Sequence, residues 1–215
     1  MKENNSTLCI ISPQCREQYG QELEQYFILR KEVLIDQRGW DLKSVGNKEI
    51  DQFDHEYAHY LLYKDLKTGK VMGGVRLTPS LAPNLTMDIF AHLIDSELGF
   101  CTNPLVWESS RYVTASVDKT SQRGLVRNIT LQLFIGMIEY CLRMNVYALL
   151  TLTEVRLERI GRMVGWPLRR LGRVEYLGDT HAVVGLVETN EIIKRQLRAH
   201  GKLHQQILPP NQDFS

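Results

Sequence analysis

From Leu125 to Leu142 the apolar residues, among them Leu131, Leu133, Phe134, Ile135, Met137 and Ile138, surround nearly the whole circumference of a helix. A helix with one apolar stripe can lie on a surface, whereas one that is apolar all round must be enclosed by other elements. This stretch therefore predicts a central core helix, and the rest of the chain has to supply its cover.

The flanking segments read as a mixture of strands and helices. Leu8 to Ser12 is a first strand, and Pro13 opens a helical stretch in which Tyr19, Leu23, Tyr26, Phe27 and Leu34 recur at helical spacing, with Arg30 on the same stripe and Gly39 at its end. Asp41 to Glu49 is a polar loop. Tyr60 to Tyr63 and Val71 to Leu77, joined through Gly69, predict a β-hairpin that places Arg76 on one face with Met72. A short helix follows around Met87 to Ile94, then the longest strand candidate, Leu105 to Val117. Beyond the core helix come a buried strand at Val146 to Leu152, a helix from Glu154 to Val164 closed by Gly165, a strand at His181 to Val187 and a polar helix near Glu191 to His200. This order predicts an α/β or α+β fold with helices covering a twisted sheet, as one domain over residues 1–200 and a tail over 201–215.

Composition narrows the partners. Lys and Arg total 26 against 25 Asp and Glu, so no global charge draws the chain to nucleic acid or to an anionic membrane. The apolar run at Leu8 to Ser12 is too brief for a signal-peptide core or a membrane span, which gives a cytoplasmic expectation. Cys9, Cys15, Cys101 and Cys141 are scattered without metal-ligand spacing and read as reduced packing residues. No metal site is expected.

The chemistry concentrates in a few charges placed among apolar neighbours. Trp107 to Tyr112, reading WESSRY, sets Glu108 and Arg111 three apart in an apolar strand. In a regular strand the two would point to opposite faces, so a bulge near Ser109 and Ser110 is expected to turn both toward one cleft. A sheet-edge ion pair is the structural alternative. Arg30, on the apolar face of the first helix, must meet an acid, because an isolated buried charge costs several kcal/mol. Asp51 and Asp54 flank Phe53, and Arg76 lies on the hairpin strand; the acids are either members of one polar network with the arginines or local caps and turns.

In order and local spacing, Arg30 ahead of Trp40, then Asp51 and Asp54, Arg76 in GGVRLTPS, and Glu108 with Arg111 in WESSRY resemble the signature of the acyl-homoserine-lactone synthases, over about Tyr26 to Trp166. One position departs: the family usually carries Phe one helical turn after the helix arginine, and Leu34 stands there, so no aromatic wall is carried over to that place. The resemblance implies an N-acetyltransferase-like fold, a twisted mixed sheet splayed into a V-shaped cleft with helices on both faces. It also implies a reaction between S-adenosylmethionine and an acyl thioester, both substrates, with no further cofactor. The carboxylate that accepts the amine proton is then Glu108. Arg111, Arg30, Asp51 and Asp54 fix the methionyl group, with Leu34 and Trp40 beside it and Arg76 tying the acids in place.

The same resemblance places the acyl chain between the WESSRY strand and the Tyr147 to Thr153 strand, with Trp107, Ser109, Met137, Leu150, Thr151 and Thr153 as lining. The junction Lys119 to Asn128 offers Arg123 and helix amides to a pantetheine phosphate, or is a solvated loop. Arg156, Arg159, Arg162, Arg169, Arg170 and Arg173 form a local basic concentration suited to an acidic acyl-carrier protein or to the phosphates of acyl-CoA. Two rivals remain: another N-acyltransferase of the same fold, such as an N-acyl amino-acid synthase, and a non-catalytic module that binds the same molecules.

Overall fold

The structure, a computed structural model, describes residues 6–115, 123–203 and 207–208, without the side chains of 123–127. Its elements in chain order are β1 (Ser6–Ile11), α1 (Gly20–Arg30), β2 (Ser44–Val45), β3 (Lys48–Glu49), β4 (His59–Asp65), β5 (Val71–Pro79), α2 (Leu85–Ile89), β6 (Val106–Thr114), α3 (Arg123–Arg143), β7 (Ala148–Glu154), α4 (Val155–Val164), β8 (Arg169–Arg170), β9 (Glu175–Leu177), β10 (Thr180–Glu188) and α5 (Glu191–Gly201). They form two compact units, Met1–Arg76 with Arg111–Met137 and Gln205–Ser215, and Leu77–Ser110 with Ile138–His204.

In the first unit β1 pairs antiparallel with β4, and the hairpin β4–β5 closes through a bond from the Asp65 amide to the Lys70 carbonyl. β6 follows β5, tied where the Ala115 amide donates to the Met72 carbonyl. One face of this sheet is covered by the first helical stretch, whose Leu23, Tyr26, Leu29, Val33 and Leu34 are buried with Ile11, Tyr60, Leu62 and Val113. Gly74 lets the two layers close: a Cβ there would stand 2.6 Å from Leu62 and 2.8 Å from the Tyr26 ring.

That stretch is helical throughout, as its spacing predicts, but in three pitches. Pro13–Tyr19 is a 3₁₀ helix, α1 follows, and Lys31–Gln37 is a π-helix that ends where the Trp40 amide reaches the Leu34 carbonyl and Gly39 turns left-handed at φ 68°. Helical turns of different pitch leave nearly the same apolar spacing, so the pattern alone does not separate them. Arg30 sits at the change from α to π.

In the second unit β5 continues beside β6, the Ser80 amide bonding the Val106 carbonyl, and the order runs on to β7, β10 and β8, with β9 on the free part of β10. The β6–β7 pairing is parallel, from Val106 opposite Ala148 to Ser109 opposite Thr151, while β7–β10 is antiparallel from Ala148 opposite Glu188 to Glu154 opposite Ala182. The sheet is thus mixed and largely antiparallel. Val106, Ala148, Leu150, Leu171, Val184 and Leu186 make its core. The expected helix around Met87 to Ile94 proves to be α2 plus a 3₁₀ turn at Ala91–Leu93. The core helix is α3, buried at every position from Ile129 to Cys141. Cys141 is buried with it, whereas Cys101 is exposed and is not a packing residue.

Candidate active site

Six ionised side chains converge in the first unit. Arg30, at the end of α1, lies over the rings of Tyr26 and Phe27 at 5.5 and 5.2 Å. Its Nη1 and Nη2 donate to the two oxygens of Asp54 at 2.7 and 2.9 Å, and its Nε donates to Glu49 Oε2 at 2.5 Å. Arg76, on β5, grips Asp51 with both terminal nitrogens at 2.5 and 3.2 Å and reaches Asp54 at 3.0 Å. Arg111, on β6, bonds Glu49 through Nε at 3.2 Å and Asp51 through Nη2 at 2.7 Å.

Three guanidiniums and three carboxylates cancel in formal charge, which is what so dry a location requires: desolvating an ion costs several kcal/mol unless partners and hydrogen bonds replace the water. Local backbone geometry prepares the acids. The short ribbon β2–β3 sets Glu49 opposite Ser44, and the turn after it has the Asp51 amide donating to Asp54 Oδ2 while Asp51 Oδ1 accepts the Phe53 amide. The two readings of these aspartates, network member and turn former, hold together. Burial would raise the Asp54 carboxyl, but the Arg30 and Arg76 guanidiniums beside it hold it well below the usual carboxylate range. A further layer steadies it: Tyr60 Oη donates to Asp54 Oδ1 at 3.0 Å and itself accepts from Arg16 at 3.0 Å.

The network is graded in exposure. The side chains of Arg30, Arg76, Glu49 and Asp54 are 0 to 2% exposed, against 7% for Arg111 and 17% for Asp51. Arg111 also carries the local irregularity. Its φ of 54° is left-handed, unusual for a residue with a Cβ. Eight steps separate Met72 on β5 from Ser80 just past its end, yet nine separate their bonded partners, Ala115 just past the end of β6 and Val106 at its start, so the β6 side holds one extra residue. The break expected at Ser109 and Ser110 falls at Arg111, as a bulge with a left-handed residue. Tyr26 Oη donates to the Arg111 carbonyl at 2.7 Å and pins that conformation.

Glu108 belongs to the second unit and is fully buried. Its Oε1 accepts from the Thr86 amide at 2.6 Å and from the Thr86 hydroxyl at 2.7 Å, while Oε2 is buried and has no hydrogen-bond partner among the described residues. A buried carboxylate oxygen left open is costly, and such atoms concentrate where function requires them.

The remaining expected residues are placed as follows. Leu34 is core, and Trp40 is partly buried against the same cluster with the Arg38 guanidinium 5.8 Å from its ring. Trp107 is buried edge-on to Tyr140 at 6.2 Å, and the Thr151 hydroxyl donates to the Ser109 carbonyl at 3.0 Å. Thr153 is opposite Val183, Leu150 lies in the core, and Met137 is buried in α3. Arg123 opens α3, but its side chain and residues Lys119 to Gln122 lie outside the described residues. The arginines from Arg156 to Arg173 are exposed, and two of them are engaged: Arg162 and Arg170 both bond the buried Glu158. Among the described residues no cluster is placed to hold a metal ion, and no helix is long and apolar enough to cross a membrane.

Sequence reasoning missed Glu49, Thr86, Arg16 and Tyr60. For Glu49 a signal existed: three arginines in apolar settings outnumber the two aspartates assigned to them, so a third acid was required.

Comparison with known proteins gives the family and the fold. The family model described as autoinducer synthase matches residues 14–197. An acyl-homoserine-lactone synthase of Agrobacterium fabrum is 34% identical over 176 residues, 81% of this chain and 82% of that protein. The CoA-dependent acyl-homoserine lactone synthase BjaI, solved with SAM and isopentyl-CoA and also with MTA, superposes with a TM-score of 0.83 at 25% identity, covering 95% of this chain and 92% of its own. An acyl-CoA N-acyltransferase from Pseudomonas aeruginosa, 14% identical, shares the fold at a TM-score of 0.55 over 84% of this chain and 98% of its own, in keeping with the N-acyltransferase type of sheet.

Proposed function

This chain belongs to the autoinducer synthase family, and on that premise we propose that it makes an acyl-homoserine lactone from S-adenosylmethionine and an acyl thioester, releasing methylthioadenosine. The observation that carries the reading is the buried Oε2 of Glu108, without a hydrogen-bond partner among the described residues, three residues before Arg111, the most irregular member of the charged network.

The substrate amine is largely protonated at neutral pH, so it must lose a proton before it can attack. Glu108 Oε2 accepts that proton, directly or through a water. The amine then forms the C–N bond at the thioester carbonyl, the C–S bond breaks, and the second amine proton leaves with the sulfur as a thiol. In the second step the substrate carboxylate forms a C–O bond at the γ-carbon, and the sulfonium departs with its bonding pair as the neutral thioether of methylthioadenosine. No proton moves there, so correct folding of the bound molecule is the main requirement.

The exposure gradient divides the network's labour. Arg30, Glu49, Asp54 and Arg76, the least exposed members, act as the frame. Arg111 and Asp51, the accessible pair, meet the methionyl group, with Trp40 and Leu34 nearby on the chain. Arg111 suits its carboxylate: its guanidinium, held by Glu49 and Asp51, is more exposed than those of Arg30 and Arg76. Trp107, Ser109, Met137, Thr151 and Thr153 are the proposed acyl lining, and Arg123 a proposed phosphate contact. Acyl-CoA as donor is supported by the BjaI complex with isopentyl-CoA; an acyl-carrier protein is the alternative donor that the exposed Arg156, Arg159, Arg169 and Arg173 would suit.

The test is to mix the purified protein with S-adenosylmethionine and a panel of acyl-CoA and acyl-carrier-protein thioesters and to follow products by mass spectrometry. Lactone and methylthioadenosine in equal amounts support the reading. An acyl amide without lactone points to a simple N-acyltransferase, and no product from any donor points to a binding module.

A further inference from the structure

Among the described residues Glu108 meets Thr86 alone through its carboxylate, and the way it does so constrains the proton it can take. We propose that Thr86 is a positioning residue that makes Glu108 a one-sided base, open to a proton at Oε2 alone; this rests on Glu108 acting as the base.

The argument begins with the donors. A backbone N–H can only donate, so the oxygen facing the Thr86 amide at 2.6 Å must be an acceptor. The Thr86 hydroxyl, at 2.7 Å from the same oxygen, donates as well. A proton placed on Oε1 would face these two donors, so it can be carried only by Oε2, the atom without a partner among the described residues. A glutamate carboxyl otherwise turns about a broad, nearly two-fold terminal torsion, presenting either oxygen. The Thr86 clamp removes that freedom before substrate arrives, which is what an efficient proton acceptor needs.

The clamp is itself fixed. Asn84 is 1% exposed; its Nδ2 donates to the carbonyls of Ser80 and Ala82, and its Oδ1 accepts the Met87 amide at 3.0 Å. Ser80 returns to the strand that carries Glu108: its amide bonds the Val106 carbonyl at 3.1 Å, and its hydroxyl exchanges bonds with the Asn103 backbone. Strand, turn, Asn84, Thr86 and Glu108 thus form a closed circuit within one compact unit, from which Oε2 of Glu108 emerges with no partner among the described residues.

The experiment compares wild type with Thr86→Val, Thr86→Ser, Glu108→Gln and the Val/Gln double variant, reading the acylation kcat, the KM for S-adenosylmethionine and a thermal melt. Thr86→Val is expected to lower kcat about tenfold or more, the scale of a lost bond to a charged group, with KM unchanged; Thr86→Ser restores it. In the Glu108→Gln background the Val substitution has no further effect, because the residue acts only through the base. Thr86→Ala replaces the Val variant should the latter fail to fold. A wild-type kcat in Thr86→Val, an equal loss in both backgrounds, or a Ser variant no better than Val overturns the inference while a slow Glu108→Gln enzyme leaves the proposed reaction standing. A Glu108→Gln enzyme at the wild-type rate overturns the inference together with the assignment of Glu108 as the base, while the lactone it makes leaves the overall reaction standing.

Discussion

Glu49 receives the Nε–H of Arg30 at 2.5 Å, with both side chains at or below 1% exposure, and so closes the charged network at its driest point. Glu49→Ala leaves two guanidiniums short of an acid. Breaking a buried pair from one side costs about 3–5 kcal/mol, and urea unfolding of this variant should show a loss of that size with an unchanged m-value. A loss under about 1 kcal/mol, the scale of a surface pair, would mean that Glu49 is solvated in solution.

Tyr26 governs the site through the backbone. Its hydroxyl bonds the carbonyl of Arg111, the residue held at φ 54°. Tyr26→Phe keeps the ring under Arg30 but removes that bond, so stability should fall by roughly 1–2 kcal/mol and the KM for S-adenosylmethionine should rise as Arg111 loses its fixed direction. An unaltered KM would separate the Arg111 conformation from substrate binding.

Arg111→Lys tests the guanidinium itself. Lysine keeps the charge but cannot span Glu49 and Asp51 while offering a further nitrogen to a carboxylate. The expected result is weaker S-adenosylmethionine binding, measured by calorimetry, with the melting temperature less affected than in Glu49→Ala. Wild-type affinity would assign the substrate carboxylate to another group.

How much of this could be seen in the sequence depends on where each residue's surroundings come from. Arg30, Arg76 and Glu108 stand among apolar neighbours in their own segments, so local pattern already marks them as buried charges with unmet needs. Glu49 lies next to Lys48 and Asn47 in a stretch that reads as solvated loop; only the β2–β3 ribbon and the packing of α1 bury it. Thr86 is legible only after one asks which donors a buried Glu108 can find, a tertiary question. The core helix α3 was unmistakable because its whole circumference is apolar, whereas the two- and three-residue strands β8 and β9 are shorter than any period that could reveal them. The bulge at Arg111 was anticipated from the clash between strand alternation and shared purpose, and it lies one or two residues beyond Ser109 and Ser110.

His59 supplies a pH signature apart from the carboxylates. Burial, with the Arg16 guanidinium adding to it, pushes its imidazole down to about 4. The unfolded chain, with an ordinary histidine near 6.5, therefore binds more protons between those values, and folding stability should decline as pH falls from about 6.5 to about 4, by on the order of 3 kcal/mol. His59→Gln should flatten that part of the stability curve in urea titrations at fixed pH. An unchanged slope would show that His59 is protonated in the folded protein.

The central claim is that the open oxygen of Glu108 takes the amine proton, and single-turnover acylation by Glu108→Gln measures it most directly. With S-adenosylmethionine binding checked by calorimetry, the variant should bind as wild type does and acylate about two to four orders of magnitude more slowly, the range of lost general-base help. A wild-type acylation rate in a folded, substrate-binding Glu108→Gln protein would contradict the account.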